Sequence, residues 1–372
     1  MRFIDLFAGV GGFHLGFERA GIIESEQLQG EELQEGKDSN SLESTKRKQS
    51  NFSCVWSNEW NKYAGEVYQK RFPRTKFSGE DIRTVDVDGL PEFDLLCGGF
   101  PCQAFSIAGK RKGFDDTRGT LFFEIARIIK ARKPKIVLLE NVRGLLSHEA
   151  GRTFGRIIEV LGDLGYWVEW EVLNSKNFGV PQNRERVFIV GHLRGERGRQ
   201  IFPLGQSSEE INEQRGRIPQ QIASTIFSSQ HKIARGMTMI ETKAVLTPDR
   251  EEKRQNGRRF KEDGEPMFTL TGQDIHGVEI TSYSPRTNDP KLGGSGPLRN
   301  MEHSFTVDRT PHIVNRIRRL TPVECERLQG FPDNWTEGLS DTQRYKCMGN
   351  AVTVNVVQAI AEKILLKSKE AK

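Results

Sequence analysis

A cysteine, a glutamate and two arginines are the residues of this chain whose types and spacing point first to chemistry. Cys102 follows a proline in the glycine-rich run Cys97-Gly98-Gly99-Phe100-Pro101-Cys102-Gln103. If Phe93 to Cys97 is a strand, this thiol lies beyond a carboxyl strand end, where α/β enzymes place reacting groups and where a thiolate can act as a nucleophile. Glu140 leaves the apolar run Leu138-Leu139, so desolvation would raise its pKa toward acid duty. Gln182-Asn183-Arg184-Glu185-Arg186 puts two guanidiniums two residues apart, and alternate side chains of an extended segment share a face. Ordinary roles stand beside these: structural salt bridging for the arginines, and burial as a small apolar side chain for a cysteine, which is how Cys54, Cys97, Cys325 and Cys347 read.

A second group follows two earlier strand patterns. Phe7-Ala8-Gly9-Val10-Gly11-Gly12 separates a strand pattern from a helix pattern, and glycines there let a ligand approach backbone N–H groups at a helix start. Asn58-Glu59-Trp60 follows the next strand and offers an acid for ribose hydroxyls and a flat indole for an adenine ring. Alone, Glu59 reads as a surface carboxylate and Trp60 as a half-buried core residue; at consecutive strand ends they point together to a nucleotide-type cofactor. A nicotinamide dehydrogenase would explain Glu59 but needs the spaced GxGxxG fingerprint, absent here, and leaves Pro101-Cys102-Gln103 and the arginine pair without roles.

These residues need a frame, and the first half of the chain supplies one by alternating short apolar runs with helix-period segments, the pattern of βα units on a mostly parallel sheet. Strands are expected at Arg2 to Phe7, Ser53 to Ser57, Phe93 to Cys97, Lys135 to Leu139 and Val187 to Gly191. Leu121, Ile125, Ile128 and Ile129 share one helical face, as do Phe154, Ile157, Ile158, Leu161 and Leu164. Glu24 to Ser50 is polar and lacks aromatic residues, so it reads as a long surface insertion. Arg194 to Pro311 is rich in Gly, Pro, Ser, Thr and Arg, with short runs such as Phe268-Thr269-Leu270-Thr271 and Phe305-Thr306-Val307, and reads as a smaller irregular β domain. Thr321-Pro322-Val323-Glu324 is a helix start with a capping box, closed at Gly330. Val357, Ile360, Ala361 and Ile364 mark a terminal amphipathic helix that returns to the first domain.

With 372 residues, 35% hydrophobic and 28% charged, the chain has core enough to fold without staples and a globular composition. No apolar run approaches the roughly 20 residues of a membrane helix, and the amino terminus has no signal-peptide hydrophobic region, so a cytoplasmic protein is expected. Five cysteines without a CxxC pair argue against a disulfide framework and a structural zinc site. The net charge is +5. Arg194 to Arg319 alone carries 21 basic and 16 acidic side chains, an excess equal to that of the whole chain and the mark of a polyanion face or of a mixed solvated surface.

In order, the motifs DLFAGVGGF, SNEW, GEDI, GGFPCQAFS, RGTLFF, LENVRGLL, VPQNRERVFIVG, RLTPVECERLQGFP and MGNAV resemble those of the cytosine-C5 DNA methyltransferase family, over Met1 to about Leu193 and about Arg316 to Leu366. The resemblance implies an α/β fold: a Rossmann-like S-adenosylmethionine-dependent methyltransferase sheet with a smaller, irregular β-rich target-recognition domain. Residues 1–193 would bind cofactor and catalyse, with the insertion at 24–50; 194–315 would recognise the target; 316–372 would return to the catalytic domain. By motif match, Phe7, Gly9, Gly11, Glu59, Trp60, Asp81, Ile82, Pro101, Leu121 and Asn350 would border S-adenosylmethionine, whose product is S-adenosylhomocysteine. Glu59 would hold the ribose hydroxyls, Asp81 and Ile82 the adenine edge, and Phe7 and Trp60 its faces.

Catalysis would fall to Cys102 attacking cytosine C6, Glu140 at N3 and Arg184 at O2, with Arg186 bracing the site and no metal. The cytosine must leave the stack to be reached. Gln103, Ser106, Lys110 and Arg118 would then close on the DNA, while Gln255, Arg258 and Thr269 would contact it from the basic lobe. Gln255 would fill the gap left by the flipped base, or be an ordinary surface glutamine. The implied partner is double-stranded DNA, met by a monomeric, nucleoid-associated enzyme of the bacterial or phage restriction-modification type, with a cognate endonuclease acting separately. A transfer-RNA methyltransferase of the same branch is the rival enzyme, against which the long basic lobe argues. A catalytically silent relative is the other rival, against which the retained Cys102, Glu140 and Arg184 argue.

Overall fold

Apolar runs that lack polar alternation must be covered on both faces, and the central strands meet that demand. The structure, a computed structural model, describes residues 1–27, 50–101, 121–195, 200–204, 239–246, 260–261, 265–271, 276–284 and 312–370. Strands β1 (Arg2–Leu6), β2 (Ser53–Asn58), β3 (Phe77–Ser78), β4 (Leu95–Gly99), β5 (Ile136–Val142), β6 (Tyr166–Asn174) and β7 (Glu185–Leu193) form one sheet in the order β3-β2-β1-β4-β5-β7-β6. The first five are parallel, and β7 runs antiparallel to both β5 and β6.

Side chains alternate between two cores, as the period of two requires. Ile4, Leu6, Leu96, Val137 and Leu139 face one, with Ile125, Ile128 and Ile129 of α3 (Leu121–Arg132) and Ile157 and Leu161 of α4 (Arg152–Asp163). Phe3, Leu95, Cys97 and Leu138 face the other, with Phe13 and Phe17 of α1 (Gly12–Gln27) and Val357, Ile360, Ala361 and Ile364 of α7 (Val354–Lys369). Each fully buried Leu or Ile contributes about 1.5–3 kcal/mol by leaving water. A Cβ at Gly16 would lie 2.6 Å from Val357 Cγ1, so the approach of α7 to α1 depends on a missing side chain, and Gly16→Val would break it.

All five expected strands are present with shifted ends. The two not expected have weak signals: β3 is two residues long, and the edge strand β6 carries exposed Trp167 and Trp170 among its buried positions. One boundary is corrected. Helix α1 runs to Gln27, so Glu24–Gln27 extend it rather than opening an insertion, in keeping with the helix preference of Glu and Gln; 28–49 lie outside the described residues.

A second, antiparallel sheet has the order β10-β9-β8, from β8 (Met239–Leu246), β9 (His276–Ser284) and β10 (His312–Arg319). The Phe268 to Thr271 run is not a ladder strand; its neighbour Met267 makes a single bridge to Gln182. Phe305 to Val307 lies outside the described residues. Beyond α2 (Lys62–Arg71), the chain's last elements are α5 (Pro322–Leu328), α6 (Asp341–Asn350) and α7. Helix α5 starts with the expected capping box: the Glu324 N–H donates to Thr321 Oγ1 at 3.3 Å and the Thr321 N–H to Glu324 Oε2 at 2.7 Å. Gly330, at φ +78°, turns the chain after it.

Candidate active site at the carboxyl edge of the sheet

The parallel register aligns four strand ends. Leu6 stands opposite Asn58 and Gly98, and Gly99 opposite Glu140. Glu59-Trp60, Phe7 to Gly11, Pro101 and Glu140-Asn141 therefore line one edge. Chain order reverses at β1, between β2 and β4, the switch point at which open α/β sheets take ligands. Because β7 is antiparallel, its start meets the end of β5, with Arg186 opposite Val142. Both arginines of the Gln182 to Arg186 run are thus delivered to the edge that holds the carboxylates.

On the β1–β2 half, Gly9 has φ +55° and a Cβ there would meet nothing within 4 Å among the described residues, so they leave its backbone open to a ligand. The Gly9 N–H donates to Glu59 Oε2 at 2.8 Å, and the Asn61 N–H to Glu59 Oε1 at 2.6 Å. Burial lifts the Glu59 pKa above the ordinary glutamate value, and these two N–H groups oppose the rise. Each carboxylate oxygen keeps acceptor capacity for a hydroxyl. Trp60, 69% exposed, presents its indole beside it, and Phe7 stands at φ 54° just past β1. Gly11 admits the Phe72 ring, which a Cβ would strike at 2.3 Å. A fixed carboxylate, an open glycine and an exposed flat ring fit a nucleoside.

The other residues expected on this half are placed as follows. Asp81 is bound by the N–H and guanidinium of Arg83, which hold its pKa down to about 2. Ile82 buries its side chain in the core, so of that pair only Asp81 presents a side chain. Leu121 opens α3 and packs on the same core. Asn350 is exposed at the end of α6.

On the β4–β5–β7 half, a Cβ at Gly99 would lie 3.1 Å from Glu140 Oε2, so that glycine makes room for the carboxylate. Arg186 Nε pairs with Glu140 Oε1 at 3.0 Å, with both side chains largely buried. Burial raises the Glu140 pKa, and Arg186 and then Arg184 pull it back. The two arginines have different partners. Arg186 holds Glu140, whereas Arg184, only 2% exposed, donates through Nη1 to the Leu270 carbonyl at 2.8 Å and through Nη2 to those of Gly349 at 3.1 Å and Ala351 at 2.8 Å. Two arginines two residues apart need not share a face when only one is in the strand: Arg184 precedes β7 and turns inward, while Arg186 lies within it.

Three residues escaped the sequence reading. Asn141 Nδ2 donates to the Phe100 carbonyl at 2.9 Å, fixing the chain just before Pro101; an amide directly after Glu140 was the available signal. Gln182 accepts the Leu270 N–H at 3.0 Å and donates to the Leu328 carbonyl at 2.9 Å. Leu270 stood out only as part of the Phe268 to Thr271 run, and its being held through its backbone is something no side-chain type signals. Thr269, expected on DNA, donates its hydroxyl to the Asn183 carbonyl. Pro101 is exposed. Cys102, Gln103, Ser106, Lys110, Arg118, Gln255 and Arg258 lie outside the described residues.

A held carboxylate, an open glycine and an exposed indole at a sheet switch point, next to a largely buried acid and guanidinium, are the arrangement of an α/β enzyme edge that fits a nucleoside-like ligand. Comparison with known proteins narrows this. The model of the C-5 cytosine-specific DNA methylases matches residues 1–366. Type II methyltransferase M.HpaII of Haemophilus parainfluenzae is 37% identical, over 98% of this chain and 89% of its own. Type II methyltransferase M.HhaI of Haemophilus parahaemolyticus is 33% identical, over 98% and 94%. The chain belongs to the C-5 cytosine-specific DNA methylase family and is a DNA cytosine-5-methyltransferase. Among solved structures it is similar to the S. pombe Dnmt2 methyltransferase, with TM-score 0.60 and 17% identity over 100% of this chain and 99% of that one; at that identity the likeness concerns the fold. Among the described residues no helix is long and apolar enough to cross a membrane.

Proposed function

We propose that the chain methylates C5 of one cytosine within a short double-stranded DNA sequence, as the modification half of a type II restriction-modification system, with the cognate endonuclease a separate protein. The methyl donor is S-adenosylmethionine, held by Glu59 at the ribose, Trp60 and Phe7 at the adenine faces, Asp81 at the adenine edge and the open backbone at Gly9. When bound, it supplies an electrophilic methyl group on a sulfonium. Residues 194–315 form the target-recognition domain, and residues 316–372 complete the catalytic one.

The observation that carries the reading is the largely buried Glu140–Arg186 pair at 3.0 Å beside the chain that leads through Pro101 to Cys102. Cytosine C5 is a poor nucleophile until C6 is attacked. The Cys102 thiolate adds to C6 of a flipped cytosine, while Glu140, poised above the ordinary glutamate pKa, hydrogen-bonds N3 and delivers a proton there. Arg186 keeps Glu140 in place and stabilises charge at the O2 edge. Once C5 carries the methyl group, with S-adenosylhomocysteine left behind, the C5 proton passes to solvent. The C6–S bond then breaks to return the Cys102 thiolate, and N3 gives its proton back to Glu140, restoring the aromatic ring. Unstacking the base costs a few kcal/mol, which contacts to the duplex must offset.

Bisulfite sequencing of plasmid DNA from a methylation-free host, with and without this chain, tests the proposal. Protected cytosines confined to one short motif are expected. A soluble, cofactor-bound protein that protects none would refute double-stranded DNA as the substrate and direct the test to transfer RNA.

A further inference from the structure

Arg184 and Gln182 tie together three parts of the chain that are far apart in sequence. Arg184 donates to the carbonyls of Gly349 and Ala351, the two residues flanking Asn350, and to the carbonyl of Leu270. Gln182 receives the N–H of the same Leu270 and donates to Leu328. Both polar groups of the Leu270 backbone are therefore held by side chains of one three-residue stretch. Next to it, Thr269 bonds the Asn183 carbonyl, and Met267 exchanges bonds with Pro181 and Asn183 at 2.8 and 2.9 Å. Beneath, Gln329 Nε2 donates to the Met348 carbonyl at 2.8 Å, Thr353 Oγ1 to Gln329 Oε1 at 2.8 Å, and the Thr353 and Ser175 hydroxyls bond at 2.8 Å.

Gln182, Gln329, Arg184, Ser175 and Thr353 are all buried, so water cannot substitute for a bond that is lost. A guanidinium is a rigid planar fork, and one that spans Leu270 on one side and Gly349 and Ala351 on the other cannot follow either without disturbing the rest. Among the described residues its Nε, which lies buried, has no partner, and its bonds to the three carbonyls are made by the two terminal nitrogens.

We propose that Arg184 and Gln182 are positioning residues that couple the segment bearing Thr269-Leu270 to the loop bearing Asn350, so that target duplex and cofactor are bound cooperatively. This rests on the reading that Asn350 borders the cofactor and that 194–315 meet the DNA. A shift of the Thr269-Leu270 segment on binding duplex moves the Leu270 carbonyl, and through the guanidinium that is bonded to it moves the backbone on both sides of Asn350. Linkage makes the effect reciprocal.

The test is calorimetric binding of S-adenosylhomocysteine to the full chain, with and without a duplex carrying the methylated motif. In the parent, duplex should tighten the nucleoside by about 5–150-fold, the ordinary span of such coupling. In Arg184→Lys and Gln182→Met this factor should fall to near one while each ligand alone still binds. Hydrogen exchange at 349–354 should gain protection from duplex in the parent and not in the variants. Ile157→Val, which thins the core under α4 on the far face, controls for lost stability and should keep the factor. If Arg184→Lys does not fold, Gln182→Met carries the test. Folded variants that keep the parent's factor would overturn the proposal, as would a parent that binds both ligands independently. A parent that binds no S-adenosylhomocysteine would instead overturn the cofactor reading beneath it.

Discussion

Glu59 and Glu140 both leave strands at the same sheet edge, and burial lifts both above the ordinary glutamate range, yet their partners differ in kind. Glu59 is held by two backbone N–H groups, which orient a carboxylate without neutralising it and leave it an acceptor for hydroxyls. Glu140 is held by a guanidinium, which balances its charge in a buried place and keeps it beside a second donor. Neutral dipoles suit a group that binds and does not change state; a cation suits a group that must pass a proton and tolerate charge either way. The comparison also assigns separate failures to the two halves.

The largest expected effect removes the reaction and spares the cradle. Cys102→Ala should abolish methyl transfer, measured with labelled donor, while S-adenosylhomocysteine binding by calorimetry stays at the parent value; full activity would sink the covalent mechanism. Next, Glu140→Gln should lower kcat by about 10²–10⁴-fold, the span of a lost general acid, with little change in cofactor affinity. Arg186→Lys should fall in the same direction, because an ammonium cannot copy the fork. If Arg184→Lys lost kcat as steeply at saturating cofactor and DNA, the partition of the two arginines would be wrong.

Smaller effects belong to the other half. Trp60→Ala should weaken S-adenosylhomocysteine by about 1–3 kcal/mol, on the scale of a lost stacking surface, before DNA binding changes. Glu59 also predicts a pH dependence. A carboxyl whose folded pKa is raised binds its proton more tightly folded than unfolded, so its contribution to stability is present below the ordinary value of 4.5 and is lost as pH rises through the raised one. Glu59→Gln removes that loss, so its urea-unfolding free energy should gain on the parent between pH 4.5 and neutrality; a constant difference would break the assignment. The smallest effect concerns the turn beyond β5, where Glu149 and Ala150 stand at φ 50° and 57°. Ala150→Gly should raise stability by up to ~1 kcal/mol by relieving left-handed strain, read as a higher Tm.

Much of this architecture was legible in local patterns. The five strand runs, the stripes of α3 and α4 and the Thr321 capping box depend on side-chain period and near-neighbour bonds, which a sequence displays directly. Edge strands β3 and β6 were not legible, because β3 is two residues long and the buried positions of β6 do not alternate strictly. The end of α1 was misplaced, since polar residues that favour helix resemble a loop when composition alone is read.

At the site, residue types and order along the chain were enough to bring Glu59, Trp60 and Glu140 to strand ends, and the nine motifs to name the family. The motif match put Arg184 at O2 and Arg186 as a brace, but which groups each arginine holds was not decided at that level. Two guanidiniums two residues apart look equivalent in an extended segment. Only the tertiary structure separates them, because an antiparallel β7 brings Arg186 to the end of β5 and Glu140, while Arg184 enters a buried space where the carbonyls of Leu270, Gly349 and Ala351 converge from distant parts of the chain. Burial makes every one of those carbonyls require a donor, and no local pattern records which carbonyls will be left without one.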